Sequence, residues 1–401
     1  MSNNRDVVNE REGLGRELLG LLKGNIRDYV MYIALVLIFI FFNIQTEGTF
    51  LSSRNLSDLI KQTGYVSIIA IGMTVILIIK HIDLSVGYVA GFLGAIAAIM
   101  MKGGMSPWVV IPIVLLAGCA IGLYQGILVA KVGVPAFVVT LAGMFIFRGL
   151  LSLTTAGTGT IVVDSEGFKN ISNGFIPDLP IKSSFHELTL LIGLVAIILV
   201  IFSQIKSRKN LRKYNFNVSS LPIAIGKVLF ISLIIMVIMW ILAGYKGIPW
   251  TAVIVGFVLF IYHFMLNKTR LGRYIYGIGG NAEAAELSGV NVKKVTLFAF
   301  ASVSMLAALG GILYTSRLGS ASPQAGLGFE LDAIASSYIG GVSVSGGIGR
   351  VTNTIIGALV IMSLTNGMNL MGIDVSWQYV VKGVIFVLAV AFDVITRKKS
   401  K

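Results

Sequence analysis

The chain has 401 residues, 56% of them hydrophobic and only 12% charged, where soluble domains carry roughly 25% charged residues. Its formal net charge of +14 is spread over the connections between apolar runs instead of forming one basic face, which excludes a nucleic-acid-binding role. The apolar runs are continuous and reach the ~20 residues that a helix needs to cross a bilayer, without the alternation of a β-barrel, so a soluble domain and a barrel are both excluded.

Residues 1–28 mix Arg5, Arg11, Arg16, Lys23 and Arg27 with acids. Leu14, Leu18, Leu21 and Leu22 fall on one helical face, which suits an amphipathic helix lying along the inner membrane surface, although a frayed polar tail fits the same residues. The first apolar run ends in FFNIQTEG with no small-residue cleavage pattern, predicting an uncleaved span and not a signal peptide. Further along, spans are predicted near residues 29–44, 62–80, 84–101, 107–130, 134–153, 188–203, 226–243, 248–266, 295–315, 332–346, 351–371 and 376–395. The tenth is short and rich in Gly and Ser, so it is expected to be broken or re-entrant, which is tolerated only where protein or a cavity covers the backbone. The fold class is therefore an all-α polytopic integral membrane protein with about 12 transmembrane helices, within a range of 10 to 12.

Orientation follows from Lys and Arg. With the N-terminus in the cytoplasm, inner segments hold 23 of the 32 and outer segments 7, so both termini are expected in the cytoplasm. Residues 29–395 then form one transmembrane domain with an external loop at 154–187, a basic cytoplasmic loop at 204–225, a second cytoplasmic loop at 267–294, and a basic tail at 396–401.

Few groups in this chain carry chemistry. His81, His186 and His263 are scattered without metal-ligand spacing, and Cys119 is the sole cysteine, so neither a metal site nor a disulfide framework is expected. GGVSVSGGIGR, residues 340–350, lacks the Gly-Lys-Ser/Thr ending of a phosphate loop, and its glycines are read as close packing or a backbone break. Gly118, Gly122 and Gly126 in the fourth span, and Gly87, Gly91 with Ala90, Gly94 in the third, place small residues four apart, the pattern of tight helix packing within one subunit or across a dimer seam. Lys382 has apolar residues on both sides and either faces the bundle interior or a cavity, or snorkels outward. Asp83 sits between the second and third spans, where it or Ser85 caps the third span, a polar break compatible with a translocation path. Glu330 and Asp332 open the tenth span from outside; acids there suit the helix dipole, and they are also candidates for docking an external binding protein.

Against this background NAEAAELSGV, residues 281–290, is a short polar interruption between Arg273 and Lys293–Lys294. Its Glu283, Ala284, Ala285 and Gly289 resemble the EAA-type coupling loop of ATP-binding-cassette importer permeases. With IDLSVG (82–87), VPAFVVTLAGMFIFRG (134–149), GFELDAIASSYIGGVSVSGGIGR (328–350) and NGMNLMGIDVSWQYVVKGVIFVLAVAFD (366–393), the chain from about residue 50 onward is similar to the permeases of the ribose, xylose and galactose importers. His81 stands where that family commonly has Gly. The additional pair of spans within 188–243 resembles the longer plan of the xylose or multiple-sugar permeases.

The resemblance implies a multi-pass cell-membrane permease of a bacterial-type sugar importer, passing a monosaccharide such as xylose or another pentose or aldose. It implies a homodimer working with a cytoplasmic ATPase subunit and an external sugar-binding protein, with ATP and Mg on the ATPase and no cofactor on this chain. Asn281, Ala282, Glu283, Ala284, Ala285, Glu286, Leu287, Ser288 and Gly289 would form the contact with the ATPase. An ion-coupled secondary sugar transporter is the alternative, and it predicts intramembrane carboxylates, of which few lie deep in these spans.

Overall fold

The computed structural model describes residues 26–398 apart from 181–184, 215, 217 and 219. The predicted amphipathic face of Leu14, Leu18, Leu21 and Leu22 and the end of the basic tail therefore lie outside the described residues. What is described is helical: α1 (Ile26–Gln45), α2 (Ser53–Ile78), α3 (Val86–Lys102), α4 (Pro107–Ile127), α5 (Ala136–Thr155), α6 (Glu166–Asn173), α7 (Glu187–Lys213), α8 (Leu221–Ala243), α9 (Trp250–Lys268), α10 (Arg270–Gly280), α11 (Ala282–Leu287), α12 (Val292–Leu318), α13 (Phe329–Ile339), α14 (Val351–Leu370) and α15 (Val375–Lys398). A two-residue antiparallel pair, β1 (Ile161–Val162) with β2 (Ser320–Ala321), is the exception among the described residues.

Eight of these helices are long and apolar enough to cross a membrane, and Val30–Gln45, Val86–Lys102 and Val375–Ala391 are shorter apolar helices. Each of the eleven answers to a predicted span. The remaining span, predicted at 332–346, is α13 with 11 residues, about 16 Å at 1.5 Å per residue and half of a ~30 Å hydrocarbon core. It stops at Gly340, and Gly341 takes φ +85, a left-handed conformation that glycine adopts without a steric penalty. The glycine-rich segment after it satisfies its backbone within the protein: Gly346 N–H donates to Ser343 O, Ser343 N–H to Ile348 O, and Gly347 N–H to Ile78 O at 2.8 Å. That arrangement fits the expected break in the tenth span.

Contacts divide the chain into two compact units. One holds Phe175–Ile248 with Leu51–Ser57 and the described part of Met1–Val30; the other holds Met31–Phe50, Asp58–Gly174 and Pro249–Lys401. In the first, α7 and α8 form a hairpin whose outer surfaces are apolar and exposed, as a lipid-facing pair requires. Gly193 seats Met239 across it, and Phe185 packs on Trp240 with ring centroids 4.7 Å apart. Asp178 Oδ1 accepts from Leu188 N–H at 2.9 Å and Oδ2 from Glu187 N–H at 3.2 Å, satisfying free donors at the start of α7. The predicted basic loop at 204–225 begins as helix, because α7 continues to Lys213; Lys and Arg are good helix formers and suit the negative C-terminal end.

The second unit is built around α2 and α12, whose apolar stretches are mostly buried inside the protein. Glycines let the backbones meet. On α4, a Cβ at Gly122 would overlap Phe300 O, and one at Gly118 would stand 2.7 Å from Ser304 O; on α3, Gly91 lies against Ala325 and Gly94 against Thr315. The small-residue patterns of the third and fourth spans are thus used for packing inside one chain. At the far end of α12, α6 is tied down by Ser316 Oγ, which donates to Phe168 O at 2.7 Å and accepts from Ser172 N–H at 2.9 Å.

Candidate functional site

The polar interruption of residues 267–294 folds into α10 and α11, each started by a side-chain cap. Thr269 Oγ1 accepts from Gly272 N–H at 3.3 Å, Asn281 Oδ1 from Ala284 N–H at 3.1 Å, and Asn291 Oδ1 from Lys294 N–H at 2.9 Å at the head of α12. Gly289, at φ +83, ends α11, and Val290 N–H returns to Ala285 O, a left-handed C-terminal turn. Ser288 Oγ donates to Ala284 O at 2.8 Å. Ala285 is buried and fixes the helix to the body. Asn281, Ala282, Glu283, Ala284, Glu286, Ser288 and Gly289 are exposed, and Leu287 is 85% exposed. This short helix therefore offers an apolar tip and two carboxylates beside the exposed Arg273, Lys293 and Lys294.

The end of α10 is tied to distant parts of the chain. Tyr276 Oη donates to Gly349 O at 2.8 Å, and Lys80 Nζ donates to Gly280 O at 3.2 Å. Gly279 has no room for a Cβ, which would overlap Ile78 O.

Seven residues separate α2 from α3. Among them Asp83 is wholly buried, and its Oδ1 accepts from Ser85 N–H at 2.8 Å and Ser85 Oγ at 2.6 Å. Asp83, not Ser85, is the side chain that caps this turn. Ser85 Oγ in turn accepts from Gln125 Nε2 at 2.8 Å, so the hydrogen bonds run in one direction, from α4 to the carboxylate. Gln125 was invisible as a partner in the sequence, since it lies 40 positions away in an apolar helix.

Lys382 turns inward and meets Asp332, with Nζ 3.0 Å from Oδ1 and 3.2 Å from Oδ2. The ion pair accounts for a charge about 10 Å along α15, in place of snorkelling. It also revises the expectation that Glu330 and Asp332 present a docking surface. Asp332 is engaged by Lys382, and Glu330 is buried with its Oε2 against Gly87, so neither carboxylate is displayed to an incoming protein. Helical periodicity explains the difference: residues 330 and 332 point to opposite sides of α13, and both sides are packed, Glu330 toward Gly87 on α3 and Asp332 toward Lys382 on α15. A further cluster escaped sequence reasoning altogether. Thr74 Oγ1 lies 2.7 Å from Thr354 Oγ1 and 3.2 Å from Ser337 Oγ, joining α2, α14 and α13.

With this geometry in hand, comparison with known proteins is decisive. The profile of the family described as branched-chain amino acid transport system / permease component matches residues 55–390. The chain belongs to this family. The permease is 38% identical over 383 residues to the xylose transport system permease protein XylH of Escherichia coli K12, covering 95% of each. To XylH of Haemophilus influenzae it is 39% identical over 379 residues, 94% of this chain and 98% of that one. To the ribose import permease protein RbsC of Escherichia coli K12 it is 34% identical over 344 residues, 86% and 87% of the two chains. No solved structure matches it. It is a multi-pass membrane transport protein.

Proposed function

We propose that this permease is the membrane-spanning subunit of an ATP-binding-cassette importer for xylose or a closely related pentose or aldose. The observation that carries the substrate class is the likeness, over nearly the whole chain, to two xylose permeases. Energy reaches the channel through α11. Its Leu287 supplies an apolar anchor for a groove on the ATPase, Glu283 and Glu286 pair with basic or amide groups at the rim, and Ala282 and Ala284 allow close approach. ATP and Mg are bound by the ATPase subunit and none by this chain, which accords with a glycine-rich segment lacking the lysine of a phosphate loop. Two copies of the permease sit on two ATPase subunits and receive sugar from an external binding protein; this stoichiometry rests on the motif resemblance. Transport is alternating access by rigid-body rocking of the bundles when the ATPase pair closes.

Uptake in proteoliposomes containing the permease, its ATPase and its sugar-loaded binding protein tests this reading. Xylose accumulation is expected only with ATP. Accumulation driven by a proton or Na⁺ gradient without ATP would replace it with the ion-coupled mechanism, and accumulation of ribose but not xylose would reassign the sugar.

A further inference from the structure

At the end of α10, just before the exposed helix α11, three separate stretches of backbone touch. Gly279 of α10 faces the carbonyl of Ile78, the last residue of α2, and a Cβ there would also stand 2.5 Å from Gly347 N and 2.8 Å from Gly347 Cα. Gly347 N–H donates to the same Ile78 carbonyl at 2.8 Å. Two side chains lock the arrangement from either side: Tyr276 Oη on Gly349 O and Lys80 Nζ on Gly280 O. Lys80 at φ +66, Gly346 at +76 and Gly347 at +72 are all left-handed at this spot. For Lys80 that conformation is disfavoured and persists only where the surroundings impose it.

We propose that this junction is a backbone clamp through which displacement of α11 is transmitted to α2 and to the α13–α14 segment, with Gly279 and Tyr276 as its positioning residues. The proposal rests on α11 being the ATPase contact. The backbones of Gly279, Ile78 and Gly347 touch directly, with no side chain between them to change rotamer and absorb a movement, so what happens at one stretch is felt by the other two. Only Asn281 lies between α10 and α11, and its side chain caps α11, so the two short helices have little slack between them. Above the clamp, Thr74 with Ser337 and Thr354 binds α2 to α13 and α14. Beyond it, residues 79–85 lead to Asp83 and Ser85, which are joined to Gln125 on α4. A push on α11 thereby reaches both the broken tenth span and the Asp83 network by covalent and hydrogen-bonded links alone.

The test compares Gly279→Ala with Gly277→Ala, two residues away on the same helix, where an added Cβ meets nothing within 4 Å. Each permease is purified with its ATPase, reconstituted, and assayed for hydrolysis with and without sugar-loaded binding protein and for sugar uptake. Gly277→Ala is expected to behave as the unmodified protein. Gly279→Ala is expected to keep its ATPase through purification and to retain basal hydrolysis, while stimulated hydrolysis and uptake fall about 10-fold, within the usual range of coupling between sites. The binding-protein concentration giving half-maximal stimulation should not move. Tyr276→Phe, which removes one hydroxyl, should act in the same direction by about 3-fold, and it decides the matter if Gly279→Ala is not monodisperse. Undiminished stimulation in Gly279→Ala, or in Tyr276→Phe where that variant decides, overturns the clamp, and so does loss of the bound ATPase, which would assign the junction to docking. The underlying reading fails separately: Glu283→Lys with Glu286→Lys leaving ATPase binding and uptake intact would remove α11 as the contact, whatever the glycine variants do.

Discussion

Replacing Lys382 by Met strips the counter-charge from a carboxylate that has little other solvation. The Lys382 and Asp332 side chains are 18% and 15% exposed and lie 3.0 Å apart. Two unit charges at that distance attract by about 5 kcal/mol at an effective dielectric near 20. Dehydrating both groups cancels most of this, so the intact pair adds little net stability, but removing one partner of a buried pair costs about 3–5 kcal/mol. Residual exposure of both side chains lowers that, to about 2–3 kcal/mol for Lys382→Met. For a chain of this size, where each kcal/mol moves the melting point by roughly 1–2 °C, Tm in detergent should fall by about 3–5 °C. Asp332→Leu alone leaves an unpaired ammonium and should cost a similar amount, whereas the double variant removes both charges and should recover most of the loss. Thermal unfolding of the four proteins completes a double-mutant cycle. Strictly additive losses, or no loss in Lys382→Met, would refute the conclusion that the pair is buried and coupled.

Other expectations follow from the same structure. Leu287→Ala removes the exposed apolar tip of α11 and should weaken ATPase binding by about 1–2 kcal/mol, read as a 5- to 30-fold rise in Kd when the ATPase is titrated onto permease in nanodiscs; an unchanged Kd would exclude Leu287 as an anchor. Gly122→Ala forces a methyl onto Phe300 O and should destabilise by about 1–3 kcal/mol, whereas Gly149→Ala, in open space, should stay within about 0.5 kcal/mol; equal Tm values would contradict the tight α4–α12 contact. At the start of α7, the N–H bond from Leu188, those from Leu179 and Glu187, and the nearby His186 hold the Asp178 carboxyl below its ordinary range. A depressed folded pKa contributes stability present above the unfolded value and lost as pH falls through the folded one. Amide exchange at Leu179 and Leu188, corrected for intrinsic rate, should therefore accelerate below about pH 4, and Asp178→Asn should abolish that step.

Much of the fold was legible because the signals are local. A helix crossing a bilayer must bury its own backbone and be apolar for its full length, and every residue needed to recognise that is consecutive. The caps of α10, α11 and α12 are local too, with Thr269, Asn281 and Asn291 bonding N–H groups three residues on, but they were not singled out from the sequence. The tenth span was correctly expected to be irregular from its glycines, but its helical part is shorter than predicted: it stops at Gly340, and Gly341 takes φ +85.

The candidate site was legible only in part. Hydropathy and motif resemblance picked out α11 and its neighbours, and composition picked out Lys382 and Asp83 as charges in costly places. Their partners were not recoverable. Asp332 lies 50 positions from Lys382, Gln125 lies 40 from Ser85, and Gly347 lies far along the chain from Ile78. Local free energies of burial and capping determine which segments become helices and where they start, and these are written in consecutive residues. The burial of Glu330, the pairing of Lys382 and the meeting of three backbones at Gly279 depend on how those helices pack, which is decided by steric fit and charge compensation between residues that the chain order does not bring together.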